Sequence, residues 1–483
     1  MMDRRDFLLA SLGAAAMATA RGAVGQQPMA QFAKAWRSAP DEGFARRPLA
    51  LVAGKAPSDL NGTYFLNGPA KHDRNGFRNE HWFDGDGMLH AFRFGGGDVT
   101  HEGRFVETAK FQAERSAGRF LYPGFDTMPP DPAPVTGPDV VNAANTSVVQ
   151  RGTEIWALWE GGSPTALKPN DLSTIGPVVL DEALAGVPFS AHPRRDRSGT
   201  LWGFGYEAFS GAIILSEIAP DGALRRFKVL RDLPRAMVHD FLTTERHIII
   251  GFPPFWLVRR GNLAFLDRFR WHPDEPRLYV VIDKQDFEIR RRYETPARFQ
   301  FHHFGGYEER DGTIRFAACS YRDARWMLTE GRDVMTGEPF TGTREAHFET
   351  VVLHPDGRAV FETDGEAAEF PVSDPRQVDQ PATQWSVGRS RPGNRLTNSL
   401  VARAPDGVVA GRWDADAAIM LSEHIVVPRD GGGAYLLGTQ FDTTRGVTFL
   451  AVFDAHDLMR GPRAVWRLPQ VIPAPLHGTW VAA

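Results

Sequence analysis

A chain of 483 residues, 42% hydrophobic and 24% charged, has enough apolar material for a full-sized core. Its formal net charge of −4 and pI near 6.4 lack the basic excess of nucleic-acid binders, so no nucleic acid is expected as a partner. A single cysteine, Cys319, excludes an internal disulfide and any Cys-x-x-Cys site, so a bound metal must be held by histidine or carboxylate.

From the N-terminus, Arg4-Arg5, Phe7-Leu8 and an alanine-rich run to Ala20 have the layout of a secretory signal with a twin-arginine n-region, too short for a membrane span. Residues 1–23 are therefore expected to be a twin-arginine export signal cleaved near Ala20 or Ala23, giving a periplasmic bacterial protein that is folded, and so able to take up metal, before export. Residues 24–48 form a polar N-terminal extension with a short helix near Met29 to Trp36, and residues 49–483 read as one domain.

Within that domain the pattern is strand and turn throughout. His81 to Phe94 (HWFDGDGMLHAFRF) places Asp84-Gly85-Asp86-Gly87 between apolar runs, the signature of a hairpin. Its two histidines, His81 and His90, then lie on opposite strands. Further Asp-Gly pairs begin at Asp221, Asp311, Asp356, Asp364, Asp406 and Asp430. Between them lie β-rich runs such as Leu201 to Tyr206, Ile248 to Phe252, Leu278 to Ile282, Thr313 to Ala318, His347 to Leu353 and Thr448 to Phe453. Many short, evenly spaced strands without a long helical period imply an all-β sandwich, barrel or propeller, and this length suits a propeller of several blades. No sharp repeat gives the blade count. Thr127 to Gly137 is a proline-rich surface excursion. Gly251 to Trp271 mixes Phe252, Phe255, Trp256, Leu257, Phe265 and Leu266 with four arginines. It reads either as a peripheral membrane contact or ligand entrance, or as a strand pair with an ordinary core face.

Common catalytic motifs are missing: there is no P-loop, HExxH, GxSxG elbow or dinucleotide GxGxxG. Two His-Pro-Asp tripeptides, at His272 and His354, resemble half of a two-histidine, one-carboxylate iron site but read better as turns. Four histidines sit beside strand-like runs: His192 (PFSAHP), His239 (RAMVHDF), His302 (FQFHHFGGYEE) and His477 (PLHGTW), at intervals of 47, 63 and 175 residues. Such spacing forbids a shared strand or helix turn. In a propeller, inner strands of separate blades meet at the axis, where residues remote in sequence become neighbours.

These four contexts, taken in order, resemble the iron-binding elements of the carotenoid cleavage oxygenases. Further blocks agree, namely LNGTYFLNGP (Leu60 to Pro69), VNAANTSVV (Val141 to Val149) and ALWEGGSPTALKPNDLSTIG (Ala157 to Gly176), and His81 to Phe94 resembles the N-terminal signature of that family. The resemblance spans nearly the whole mature chain. It implies a seven-bladed β-propeller with a loop cap over an axial Fe(2+), held by His192, His239, His302 and His477. It also implies that Glu160 (LWEGG), Glu369 (AEFP) and Glu423 (LSEHIVVP) hydrogen-bond ligand histidines, fixing tautomer and ring angle. Departures from the family pattern are Gly305-Gly306 in the third element, His303 beside the expected ligand, Leu66 for a usual arginine, and Arg429 to Gly433 in place of an acidic turn. On a strand, His302 and His303 point to opposite faces, and the motif selects His302.

The implied activity is a dioxygenase that uses O2 to split a conjugated C=C bond of an apolar substrate, an apocarotenoid or carotenoid, into two carbonyl products. A hydroxystilbene of the lignostilbene type is the alternative substrate, for which Lys110 is a candidate phenol partner or else a surface charge. From different classes, a non-catalytic propeller binding module and a calcium-dependent propeller hydrolase remain. The second is disfavoured because the matched positions offer imidazole rather than oxygen.

Overall fold

Strands that are apolar on both faces must be covered on both faces, and this chain covers them by stacking seven four- or five-stranded antiparallel sheets about one axis. The computed structural model describes residues 30–483; the export signal read at 1–23 lies outside the described residues. In chain order, the second to sixth blades run Ser147–Arg151 to Thr174–Pro177, Arg194–Arg195 to Leu224–Leu230, Phe241–Thr243 to Ile289–Thr295, Phe299–Glu308 to Ala359–Ala367, and Glu369–Ser373 to Val409–Asp414. Ile419–Pro428 to Ala464–Arg467 make the seventh blade. The leading strands of neighbouring blades touch one another, which places them innermost.

The ring closes with strands from both ends of the chain. Gly478–Ala482 pairs with Gly62–Lys71 as the innermost strand of the first blade, whose outer strands are Asp86–Gly95, Asp98–Phe105 and Phe44–Pro48. Ala50–Gly54 completes the seventh blade against Ala464–Arg467. Closure leaves no exposed edge between first and last blades. At that seam Tyr64, Phe92 and Phe94 pack on Leu450, Val452 and Trp466, with Phe94 edge-on to Trp466 at 5.7 Å. Each such buried apolar side chain stabilises the seam by about 1.5–3 kcal/mol.

The expected β-runs are all strands, and the Asp-Gly pairs at 221, 311, 356, 406 and 430 lie in turns. The hairpin expected at His81 to Phe94 is absent. Trp82–Asp84 is a short 3-10 turn and Asp86–Gly95 a single strand, while the chain reverses at the glycines of 95–97. Close packing explains Gly85 and Gly87: a Cβ on Gly85 would meet the His72 ring at 2.6 Å, and one on Gly87 the Ala144 carbonyl at 2.1 Å. The short helix expected near Met29 to Trp36 is a 3-10 turn at Phe32–Trp36. Together with Trp82, Val334, Met335 and Phe340 it forms an apolar cap cluster. Most of Thr127 to Gly137 lies at the surface, as expected. In 251–271, Phe255–Leu257 pairs with Phe269–Trp271, and Phe252, Phe255, Leu266 and Phe269 are buried in the main core, while the tip at 258–262 is exposed. Among the described residues no helix is long and apolar enough to cross a membrane.

Candidate metal centre

The innermost strands deliver the four histidines to one point. His192 precedes Arg194–Arg195, His239 precedes Phe241–Thr243, His302 lies in Phe299–Glu308, and His477 precedes Gly478–Ala482. Blades three, four, five and one thus each contribute one imidazole, and one ring nitrogen from each lies within 4.8 Å of all the others. Adjacent rings stand nearly perpendicular, as between His192 and His477 at 89°.

Three carboxylates back these rings. Glu369 Oε2 lies 2.5 Å from Nδ1 of His302, and Glu423 Oε1 2.9 Å from Nδ1 of His477. Glu160 Oε2 lies 2.8 Å from Nδ1 of His239, but off the line of a good hydrogen bond. His192 has no carboxylate; only its backbone N–H is held, by Ser190 Oγ. A carboxylate on Nδ1 accepts the ring proton there and leaves Nε2 with a bare lone pair. Nε2 of His302 then faces Nε2 of His477 at 3.2 Å, and Nε2 of His192 faces that of His239 at 2.9 Å. Bare lone pairs at that range repel unless a cation lies between them. The donor set therefore fits a transition metal of the imidazole-preferring kind, iron among them.

The electrostatics agree at two of the rings and oppose at a third. Burial, reinforced by the neighbouring rings, holds His192 well below the usual imidazole value. On His302 burial also wins, against the pull of Glu369. On His239 burial opposes protonation, but Glu160 outweighs it and the pKa rises. Glu369 is pushed up by burial but brought below the usual carboxylate range by His302, Tyr321 and the Phe370 N–H.

Three strands that carry these groups are bulged at the site. Gln300 pairs with Ser320 and His303 with Ala318, so one extra residue is inserted at 301–302. The same three-against-two count occurs at 370–371, between the pairs of Glu369 and Val372, and at 422–423, between those of Leu421 and His424. A bulge re-aims a side chain that regular alternation would point elsewhere. Phe370, with φ +50, sits in one of them and donates its N–H to Glu369 Oε2. None of these bulges is predicted from sequence, because register is a property of the partner strand.

A group missed in the sequence is Asp240, although the HDF context contains it. Its fully buried carboxylate accepts from Arg194 at 2.7 Å and from the backbone N–H of Phe241 and His303, tying three blades together behind the histidines. Burial raises its pKa, but Arg194 and His303 more than offset this and hold it well below the usual range. His303 indeed faces away from the cluster, packed on Tyr279 and Phe316. His81 is fully bonded, its Nδ1 accepting from Phe83 N and its Nε2 donating to Met327 O, and His90 pairs with His101. His272 and His354 lie in turns. Lys110 corrects both of its readings: it is buried, bonded to Asp86 at 2.7 Å and Glu114 at 2.9 Å, and borders no part of the site.

The departures from the family pattern lie away from the cap side. Gly305 has φ +64 in a second bulge, the left-handed region that favours glycine, and packs against the Gln384 side chain. Leu66 is core, and Arg429 to Gly433 make a surface turn with Arg429 paired to Asp59. Two openings flank the cluster, and His302 and His477 border both. Under the cap lies an aromatic cavity of about 1260 Å³, counting its open mouth, walled by Trp36, Trp82, Phe83, Phe125, Trp159, Phe301, Trp326 and Phe370. On the other side, polar groups including Arg194, Asp240, Gln377 and Asp379 line a wider basin.

Known proteins match this architecture along its length. The family described as retinal pigment epithelial membrane protein matches residues 37–482. The apocarotenoid-15,15'-oxygenase of Synechocystis sp. is 32% identical over 459 residues, covering 89% of this chain and 92% of the relative. The resveratrol cleavage oxygenase 1 of Chaetomium globosum is 24% identical, covering 89% and 84%. The solved structure of the cobalt-substituted Synechocystis apocarotenoid oxygenase superposes with a TM-score of 0.85 at 28% identity, over 94% of this chain and 99% of that one. With its seven blades, its convergent imidazoles and a match from residue 37 to 482, this chain belongs to the retinal pigment epithelial membrane protein family, that of the carotenoid cleavage oxygenases.

Proposed function

We propose that this protein is a non-haem Fe(II) dioxygenase that cleaves one conjugated C=C bond of an apocarotenoid into two carbonyl products. The observation that carries this reading is the convergence of four imidazoles, three of them lining an aromatic cavity and two of them, His302 and His477, with Nδ1 held by a carboxylate. His192, His239, His302 and His477 would hold the iron, with Glu160, Glu369 and Glu423 orienting three of them. When bound, the iron supplies open coordination positions and the redox chemistry by which O2 is activated. The protein keeps the ring protons on Nδ1, excludes water with cap aromatics, and aligns a flat apolar chain between Trp, Phe and Tyr rings. Incubating the iron-loaded enzyme with an apocarotenal and, separately, a hydroxystilbene, then identifying aldehydes, tests it; aldehydes from the stilbene alone would overturn it.

The hydroxystilbene reading is supported by the relative named for resveratrol. Burial of Lys110 beside Asp86 and Glu114 removes the amine it would have used. A non-catalytic binding module predicts no stoichiometric iron. Residues 1–23 are proposed as the export signal of a periplasmic enzyme and 49–483 as its catalytic unit, tested by sequencing the mature N-terminus from periplasmic extract. The exposed tip around Val258, Arg259 and Arg260 is proposed as a peripheral membrane contact. Vesicle flotation should be lost on Arg259→Glu with Arg260→Glu.

A further inference from the structure

Five polar side-chain atoms of residues lining the aromatic cavity have no hydrogen-bond partner among the described residues: Glu160 Oε2 and His239 Nδ1, which face each other at 2.8 Å beside the metal centre, Trp36 Nε1, Arg389 Nε and Glu345 Oε2. Several neighbouring polar side chains are bonded internally: Thr397 Oγ1 donates to Leu421 O, Ser422 Oγ pairs with Thr439 Oγ1, Asn145 Nδ2 donates to Gly85 O, and Tyr321 donates to Glu369. By contrast Arg389 Nε and Glu345 Oε2 border the same cavity, buried, with no hydrogen-bond partner among the described residues. The Arg389 side chain is only 7% exposed, and its Nη1 lies 4.0 Å from Glu345 Oε2, too far for a hydrogen bond. The guanidinium is not adrift. Nη1 donates to the Asn394 carbonyl, and the left-handed turn at Gly342, φ +76, lies so close that a Cβ would stand 2.8 Å from Nη1.

Both groups flank the start of the strand that carries Glu369. Val387 pairs with Glu369 across the strands, and Arg389 is two residues further on, about 7 Å along. The Ala368 N–H donates to Ala346 O, and Glu345 directly precedes Ala346.

We propose that Arg389 and Glu345 form an end-group site that selects substrates bearing a hydroxyl at one end of the conjugated chain. The inference deepens the proposed function and rests on it. A hydroxyl accepts from Arg389 Nε–H and donates to Glu345 Oε2, meeting both unpaired atoms at once. A carbonyl meets only the arginine, a carboxylate is opposed by Glu345, and a hydrocarbon end leaves both unpaired.

The test is binding, read without turnover. Quenching of the cavity tryptophans in the iron-loaded enzyme, under anaerobic conditions, gives Kd for an apocarotenal with a ring hydroxyl and for its deoxy counterpart. Wild type should bind the hydroxylated compound about 10-fold tighter or more. The preference should shrink to about 2-fold in Arg389→Leu and in Glu345→Met, with iron content and Tm unchanged. If Arg389→Leu does not fold, Arg389→Lys, which keeps the charge and loses Nε, carries the test with Glu345→Met. Equal affinity in wild type, as expected if only a water bridges the pair, overturns the inference, as does a preference that survives both variants. If both compounds bind equally and both are cleaved, the end-group site alone fails. If neither binds, the proposed function fails with it.

Discussion

Two groups of buried histidines sit in this propeller, and they differ in where their protons go. In the first blade His101 Nδ1 accepts from Gln470 Nε2 at 3.1 Å, and His101 Nε2 donates to His90 Nδ1 at 3.0 Å. One N–H occupies each gap, the rings stack at 19°, and the pair is complete without any ion. At the axis, carboxylates on His302 and His477 draw the protons outward to Nδ1, so their inner nitrogens converge lone pair to lone pair. The lesson is that proximity of imidazoles does not make a metal site; an outer ring of acceptors does.

The largest effect that could break this contrast is loss of metal. His239→Ala combined with His477→Ala should abolish iron binding and aldehyde formation, whereas His90→Ala with His101→Ala should retain about one iron per chain; metal analysis of both double variants beside wild type decides. Glu369→Gln and Glu423→Gln should each cost about 10–100-fold in iron affinity, with Glu160→Gln costing less because its contact is off-line. Titration against a competing chelator ranks them, and an equal loss at all three would remove the geometric distinction. His101→Ala, which strands His90 Nδ1 and Gln470, should lower stability by about 2–4 kcal/mol in urea unfolding while leaving iron untouched.

A further prediction concerns acid. Burial lowers His72, His81 and His424 to about 4 and His90 to about 3, from 6.5. The folded state therefore resists protons that the unfolded chain binds. Their contribution is fully present above about pH 6.5 and is lost as pH falls toward the folded values, at up to about 1.4 kcal/mol per pH unit per group. Calorimetry should find a lower Tm at pH 5 than at pH 7, and His90→Phe should reduce that drop. A pH-independent Tm would show that these rings are hydrated rather than buried.

Several particulars mark how far the residues alone could be read. The strand runs were legible because β-branched and aromatic residues cluster between turn residues, and the four histidines because their local contexts resemble a family pattern. The Asp84-Gly85-Asp86-Gly87 stretch misled because glycine serves two ends: it permits positive φ, and it lets backbone approach other atoms, here the His72 ring and the Ala144 carbonyl. Lys110 was read as exposed because its acidic partners include Asp86, on a strand 24 residues earlier. Asp240 gave no sign of joining Arg194 to His303, since that union crosses three blades.

Composition, periodicity and turn residues determined by themselves an all-β protein whose metal, if any, must be bound by histidine or carboxylate. Those are local properties, carried by residue types and short spacings. Tertiary structure decided which histidines converge, where bulges re-aim His302, Glu369 and Glu423, and which polar atoms of the cavity remain unpaired. Each of these depends on register between strands and on the closing of a ring, where residues as far apart as His302 and His477, 175 positions, or Trp82 and Ala474, 392 positions, come together.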